Sequence, residues 1–64
     1  MNNLPEWIKA KKYAELSGYS YGAIKQKIYR GDWPEGVLWC NAPDRALMIN
    51  WRNVDKWAAG RLEL

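Results

Sequence analysis

On a helix turning about 100° per residue, Gly22, Gln26, Tyr29 and Arg30 fall opposite Ile24 and Ile28, with Lys25 on the flank. These residue types can do a recognisable chemistry. Glutamine makes bidentate contacts to an adenine edge, and lysine or arginine reaches guanine or phosphate. Tyrosine donates to a phosphate or lies against a thymine methyl or a sugar. The segment 19–33, "YSYGAIKQKIYRGDW", places no acid before Asp32, whereas an ordinary exposed helix interleaves glutamate with lysine for i,i+4 support. Gly22 costs such a helix about 0.5–1 kcal/mol relative to alanine. One use of it is to let the helix end approach a surface closely, with backbone amides facing a phosphate. The other reading is that a first-turn glycine is simply cheaper than a mid-helix one. Ser20 and Tyr21 open the same segment and belong to the same candidate surface. Lys27 lies nearer the core side, where its stem is expected to run over Tyr21 or Trp33.

Two further places carry candidate contacts. Lys11 and Lys12 suit phosphates, and suit an ordinary surface equally well. Arg45 stands in the turn "NAPDR" beside Asn41, a position from which it can follow a sugar–phosphate backbone or enter a minor groove. Asp44 next to it is a turn-forming residue.

The elements that must position these side chains follow from punctuation. "AKKYAELSG" forms a short helix with Tyr13, Ala14 and Leu16 inward and Gly18 as its cap. Ser20 caps a second helix that runs to Tyr29 or Arg30 and stops at Gly31. Only "GYS" separates the two, which is helix-turn-helix spacing. "GDWPEG" breaks the pattern. "VLWC" and "ALMI" then form a hairpin across "NAPDR". Asn50 caps a last helix, in which Trp51, Val54, Trp57 and Ala58 recur on one side, and Gly60 ends it. Before Ala10 two readings stay open: a helix start with Asn3 as cap and Pro5 in its first turn, or an extended piece at Trp7 and Ile8, the latter slightly favoured. Trp33, Trp51 and Trp57 are expected in the core, and Trp39 is either core or an exposed ring. The resulting class is α+β: a compact winged helix, with a helix-turn-helix followed by a two-stranded wing and a C-terminal helix, in one domain over 1–64.

Composition narrows the function. The 64 residues hold no histidine and one cysteine, Cys40. That leaves no nucleophilic pair, no zinc site and no disulfide framework. The seven acids are scattered singly, so no enzyme activity, metal or cofactor is expected. A small-molecule substrate is not expected either, because so short a chain has little room for a pocket of about 300 Å³. "MNNLPEW" lacks a signal peptide's apolar region and no stretch is long enough to span a membrane, so a cytoplasmic protein with no membrane partner is expected. The net charge of +3 is uneven: residues 1–30 carry +4 and residues 31–64 carry −1. The basic half contains the acid-free helix, and double-stranded DNA is the expected partner.

The opening W-I-x-A-x-x-Y-A-E-L-S-G-Y-S-x-G-A-I, the breaker R-G-D-W-P-E-G, and the hairpin V-L-W-C-N-A-P-D-R-A-L-M-I-N leading into V-D-K-W resemble the small excisionases of temperate phages and prophages. More broadly the pattern is similar to the MerR-type winged-helix domain, over about residues 7–58. The resemblance implies a recombination directionality factor. Such a protein is not an enzyme: it binds and bends DNA near a prophage attachment site, binds side by side with further copies, and helps a tyrosine integrase excise the element. It also implies that Gly22, Lys25, Gln26 and Tyr29 face the major groove and that Arg45 contacts DNA from the wing. The chain departs from many relatives in having fewer arginines on the second helix, and Arg45 where they have glycine after the wing-tip aspartate. No long basic tail follows Gly60. Weaker base contacts, with more reliance on DNA shape or neighbouring protomers, follow from these departures. Two rival functions use the same residues: a prophage transcriptional regulator, or a protein-interaction or inhibitor module built on exposed tryptophan and tyrosine.

Overall fold

Trp7–Lys9 forms β1, Ala10–Ser17 α1, Tyr21–Tyr29 α2, Trp39–Asn41 β2, Leu47–Asn50 β3 and Trp51–Ala58 α3 in the computed structural model, which describes residues 5–62. The architecture is α+β, with three helices on a three-stranded antiparallel sheet of order β1-β3-β2. The expected order of elements is corrected at its start. A strand precedes α1, and the sheet is not a two-stranded hairpin. Of the two readings before Ala10 the extended one holds, while Asn3 lies outside the described residues. The reason is tertiary: β1 pairs with β3, in register Trp7↔Asn50, Ile8↔Ile49 and Lys9↔Met48, and no local signal in a three-residue strand announces a partner some forty residues away.

The helix boundaries follow local chemistry. α1 ends where Gly18 turns left-handed at φ 84° and its N–H bonds back to the Ala14 carbonyl, a conformation that costs a side-chain-bearing residue about 1–2 kcal/mol. α2 begins where the Ser20 hydroxyl accepts from the Ala23 N–H at 3.0 Å. α3 begins where the Asn50 side-chain oxygen accepts from the Asn53 N–H at 3.1 Å. Each cap satisfies an amide that the first turn leaves free. Asn50 is buried and also donates to the Glu6 carboxylate at 3.1 Å, while the Trp51 indole N–H donates to the Pro5 carbonyl at 2.8 Å. The start of α3 thereby fastens the chain leading into β1.

The core is a single cluster of Ile8, Ala10, Tyr13, Ile24, Trp33, Leu38, Ile49, Trp51 and Val54. Trp33 is its centre: Tyr13, Tyr19 and Trp57 pack edge-on around it at centroid distances of 6.4, 6.1 and 5.8 Å. Aromatic pairs in this geometry contribute about 0.5–1.5 kcal/mol each beyond their buried area. The Trp33 Nε1 sits within this cage with no hydrogen-bond partner among the described residues. Two expectations about packing are corrected. Leu16 is exposed, because Ala10, Tyr13, Ala14 and Ser17 form the inward stripe of α1 and Leu16 lies about 100° away from it. Lys27 runs over the rings of Tyr19 (5.6 Å) and Trp57 (5.7 Å) rather than Tyr21 or Trp33, since the Tyr13–Tyr19–Trp33–Trp57 cage occupies that side of α2.

Candidate nucleic-acid interface

α2 buries Ile24 and half-buries Ile28, and leaves Gly22, Gln26, Tyr29 and Arg30 exposed. The face derived from the helical wheel is the face that the fold leaves open. Tyr29 is the most exposed large ring among the described residues, at 81%. Arg30 is the C-terminal cap residue, its N–H bonded to the Gln26 carbonyl at 2.9 Å, and its side chain is exposed.

Gly22 is informative for what surrounds it. A Cβ added there meets no atom within 4 Å, and its φ is not in the left-handed region. The fold therefore imposes no steric or conformational demand for glycine at this position.

Lys25 is half-buried because its ammonium lies over the Tyr21 ring at 5.5 Å, and the Lys11 ammonium from α1 approaches the same ring at 5.9 Å. Two cations from two helices thus converge on one tyrosine, which links α1 and α2 across the turn that Ser20 closes. Lys12 differs. It is paired with Glu15 at 3.7 Å on an exposed part of α1, so its charge is partly answered within the protein. The candidate cations of α1 divide: Lys11 joins the α2 face and Lys12 belongs to a surface pair of the kind worth at most about 1 kcal/mol.

The hairpin turn is built by Pro43 and Asp44. The Arg45 N–H bonds to the Ala42 carbonyl at 2.8 Å, the Ala42 N–H to the Ala46 carbonyl at 2.8 Å, and the Asp44 carboxylate accepts from the Ala46 N–H at 3.0 Å. This leaves Arg45 at φ 69°, the left-handed conformation that favours glycine. Its side chain is exposed at the tip. Asn41 is not a loop residue as expected; it ends β2 opposite Leu47, because the turn proper begins only at Ala42.

Between α2 and the hairpin lies an open cleft of about 280 Å³. Tyr21, Lys25 and Tyr29 form one wall and Trp39, Asn41 and Leu47 the other. The alternative for Trp39 resolves as both: its indole N–H donates to the Trp33 carbonyl at 2.7 Å, anchoring it to the core, while its ring borders the cleft. Leu47 was not singled out from the sequence. The signal for it was the alternation that puts Leu47 and Ile49 on one face of β3, with Asn41 and Trp39 facing the same way on β2.

Among the described residues no helix is long and apolar enough to cross a membrane, and no group of three histidine, cysteine or acidic side chains is placed to hold a metal ion. Neither the curated proteins nor the solved structures provide a significant match to the chain. The family comparison is positive. A family model described as "Putative excisionase (DUF1233)" matches residues 1–62 of the 64, and the chain therefore belongs to this excisionase family.

Proposed function

We propose that the protein is a DNA-binding recombination directionality factor. In this reading the fold works as a MerR-like winged helix in the cytoplasm of a bacterial host, without catalytic chemistry of its own. α2 enters the major groove, and the β2–β3 hairpin is the wing beside it. The observation that carries the reading is the acid-free outer face of α2. Gly22, Gln26, Tyr29 and Arg30 are all exposed, Lys25 flanks them, and a cleft with no acidic side chain in its lining runs beside the face. Membership of the excisionase family supports the biological setting, in which the bound DNA lies near a prophage attachment site and a phage integrase excises the element.

Gln26 is assigned to base readout, with Ser20, Tyr21, Lys11, Lys25, Tyr29, Arg30 and Asn41 on the strand backbones and Arg45 at the wing. Lys12, already paired, contributes least. The test is a DNA-shift titration against duplexes from both ends of the element encoding the protein. Gln26→Ala is expected to lose discrimination at one base position, by about 1–3 kcal/mol. Lys25→Ala is expected to weaken every duplex alike and lower the salt slope by about one. If both variants bind all duplexes as the parent does, α2 is not the reading element.

A further inference from the structure

The cleft between α2 and the hairpin does not stop at Tyr21. A second depression of about 180 Å³, bordered by Lys9, Lys11, Ala46 and the backbone start of α1, adjoins it, and the two share Tyr21 and Leu47 as their common border. Together they form one trough along the foot of the hairpin. Ala10, Ala46 and Leu47 give it an apolar floor, Lys9, Lys11 and Lys25 make its border cationic, and none of the residues bordering either half is acidic. Tyr21 is the saddle between the halves, and the ammonium groups of Lys11 and Lys25 lie over its ring from α1 and α2.

We propose that this trough holds one sugar–phosphate strand of a DNA duplex as it passes from α2 to the hairpin, and that the Tyr21 ring is the positioning residue that holds Lys11 and Lys25 toward its phosphates. The proposal rests on the DNA-binding reading above and adds the path of the strand, the floor it lies on and the role of the ring. The chemistry is that of a polyanion with apolar sugar edges. Two like charges drawn to one side of the protein repel each other unless an anion lies between or beside them, and their stems lose rotamer freedom in being held. An aromatic face offsets part of that cost by attracting both cations. The lysines are then preorganised, and a phosphate that binds them does not have to order them. The floor residues Leu47 and Ala46 are short enough to let sugar edges approach, and Ala46 is held by its own turn hydrogen bond to Asp44.

The experiment is a salt titration of binding to a mixed-sequence DNA duplex, because phosphate contacts do not depend on sequence. Lys11→Gln is expected to reduce the slope of log K against log salt by about 0.9. Tyr21→Phe, which keeps the ring, is expected to bind more tightly than Tyr21→Leu. Tyr21→Leu, which keeps both lysines and removes the ring, is expected to bind at least threefold more weakly. Ala46→Glu, on the hairpin and away from α2, puts an acid in the trough and is expected to weaken binding tenfold or more at low salt. A thermal melt of each variant establishes that it is folded, and Ala46→Glu keeps the test decisive if Tyr21→Leu is not. The proposal is overturned if Ala46→Glu binds with the parent's affinity and slope, or if Tyr21→Phe loses as much as Tyr21→Leu. Both of those results leave the DNA-binding reading standing. A parent protein that shows no salt-dependent duplex binding overturns the two together.

Discussion

Gly22 is a residue for which the fold supplies no steric or conformational reason. The open space around its Cα and its ordinary φ mean that alanine is accommodated without any adjustment. Gly22→Ala is therefore expected to raise stability by about 0.5–1 kcal/mol, measured by chemical denaturation, and to weaken duplex binding. A variant that is more stable and binds equally well shows that no partner approaches the helix there. Tyr13 makes the opposite case, a residue whose chemistry is wholly internal. Burial, with the Asp55 carboxylate and Tyr19 adding to it against a hydrogen bond from Ser17, pushes its phenol from 10.0 up to about 12. Because the folded value lies above the unfolded one, the folded state keeps its proton longer. Its contribution is complete below pH 10 and is lost as pH rises to about 12. Tyr13→Phe is expected to flatten that alkaline decline; a decline of unchanged size assigns it to other groups. Both roles were partly legible in the sequence. The wheel placed Gly22 outward and Tyr13 inward, while the proximity of Tyr13 to Asp55 needed the fold.

The elements were legible where punctuation is local and illegible where pairing is distant. Ser20, Asn50 and Gly18 announce helix ends because a cap bonds within three or four residues of itself, and all three act as expected. β1 gave only an ambiguous signal, because its pairing with β3 depends on bringing Ile8 against Ile49. Lys27 was misplaced because the Tyr13–Tyr19–Trp33–Trp57 cage assembles from three separate segments. The hairpin turn offers the clearest test at this scale. Arg45 occupies a left-handed position at φ 69°, at a cost of about 1–2 kcal/mol that glycine does not incur. Part of that gain is offset by the greater freedom of glycine in the unfolded chain. Arg45→Gly is accordingly expected to raise the melting midpoint slightly and to reduce both duplex affinity and its salt dependence. If affinity and slope are unchanged, the arginine is a solvated turn residue, and the hairpin contributes shape without charge.

At the scale of the whole molecule, size sets the binding mode. A 64-residue chain buries only about 60% of its unfolded surface, and here the aromatic cage around Trp33 compensates for a short core. In the proposed DNA-binding role the same small size limits the contact. A single module covers about 600–1,000 Å², at most about a fifth of the protein's 4528 Å² surface. The net charge of +3 combines +4 in residues 1–30 with −1 in residues 31–64, so the positive charge is concentrated on the part that carries α1 and α2. On the proposed reading, a lone copy with so few cations and one groove-facing helix is expected to have modest affinity and short sequence discrimination. Copies bound side by side add contacts without enlarging the chain, each neighbour raising the effective concentration of the next. A duplex carrying two adjacent sites is therefore expected to bind more steeply and more tightly per site than a duplex carrying one, in a titration at fixed salt. Lengthening the spacer between the sites by half a helical turn places the second copy on the opposite side of the duplex and is expected to abolish the gain. Equal affinity per site at both spacings shows that each copy binds independently. In that case the affinity rests on α2, the trough and the hairpin of a single molecule.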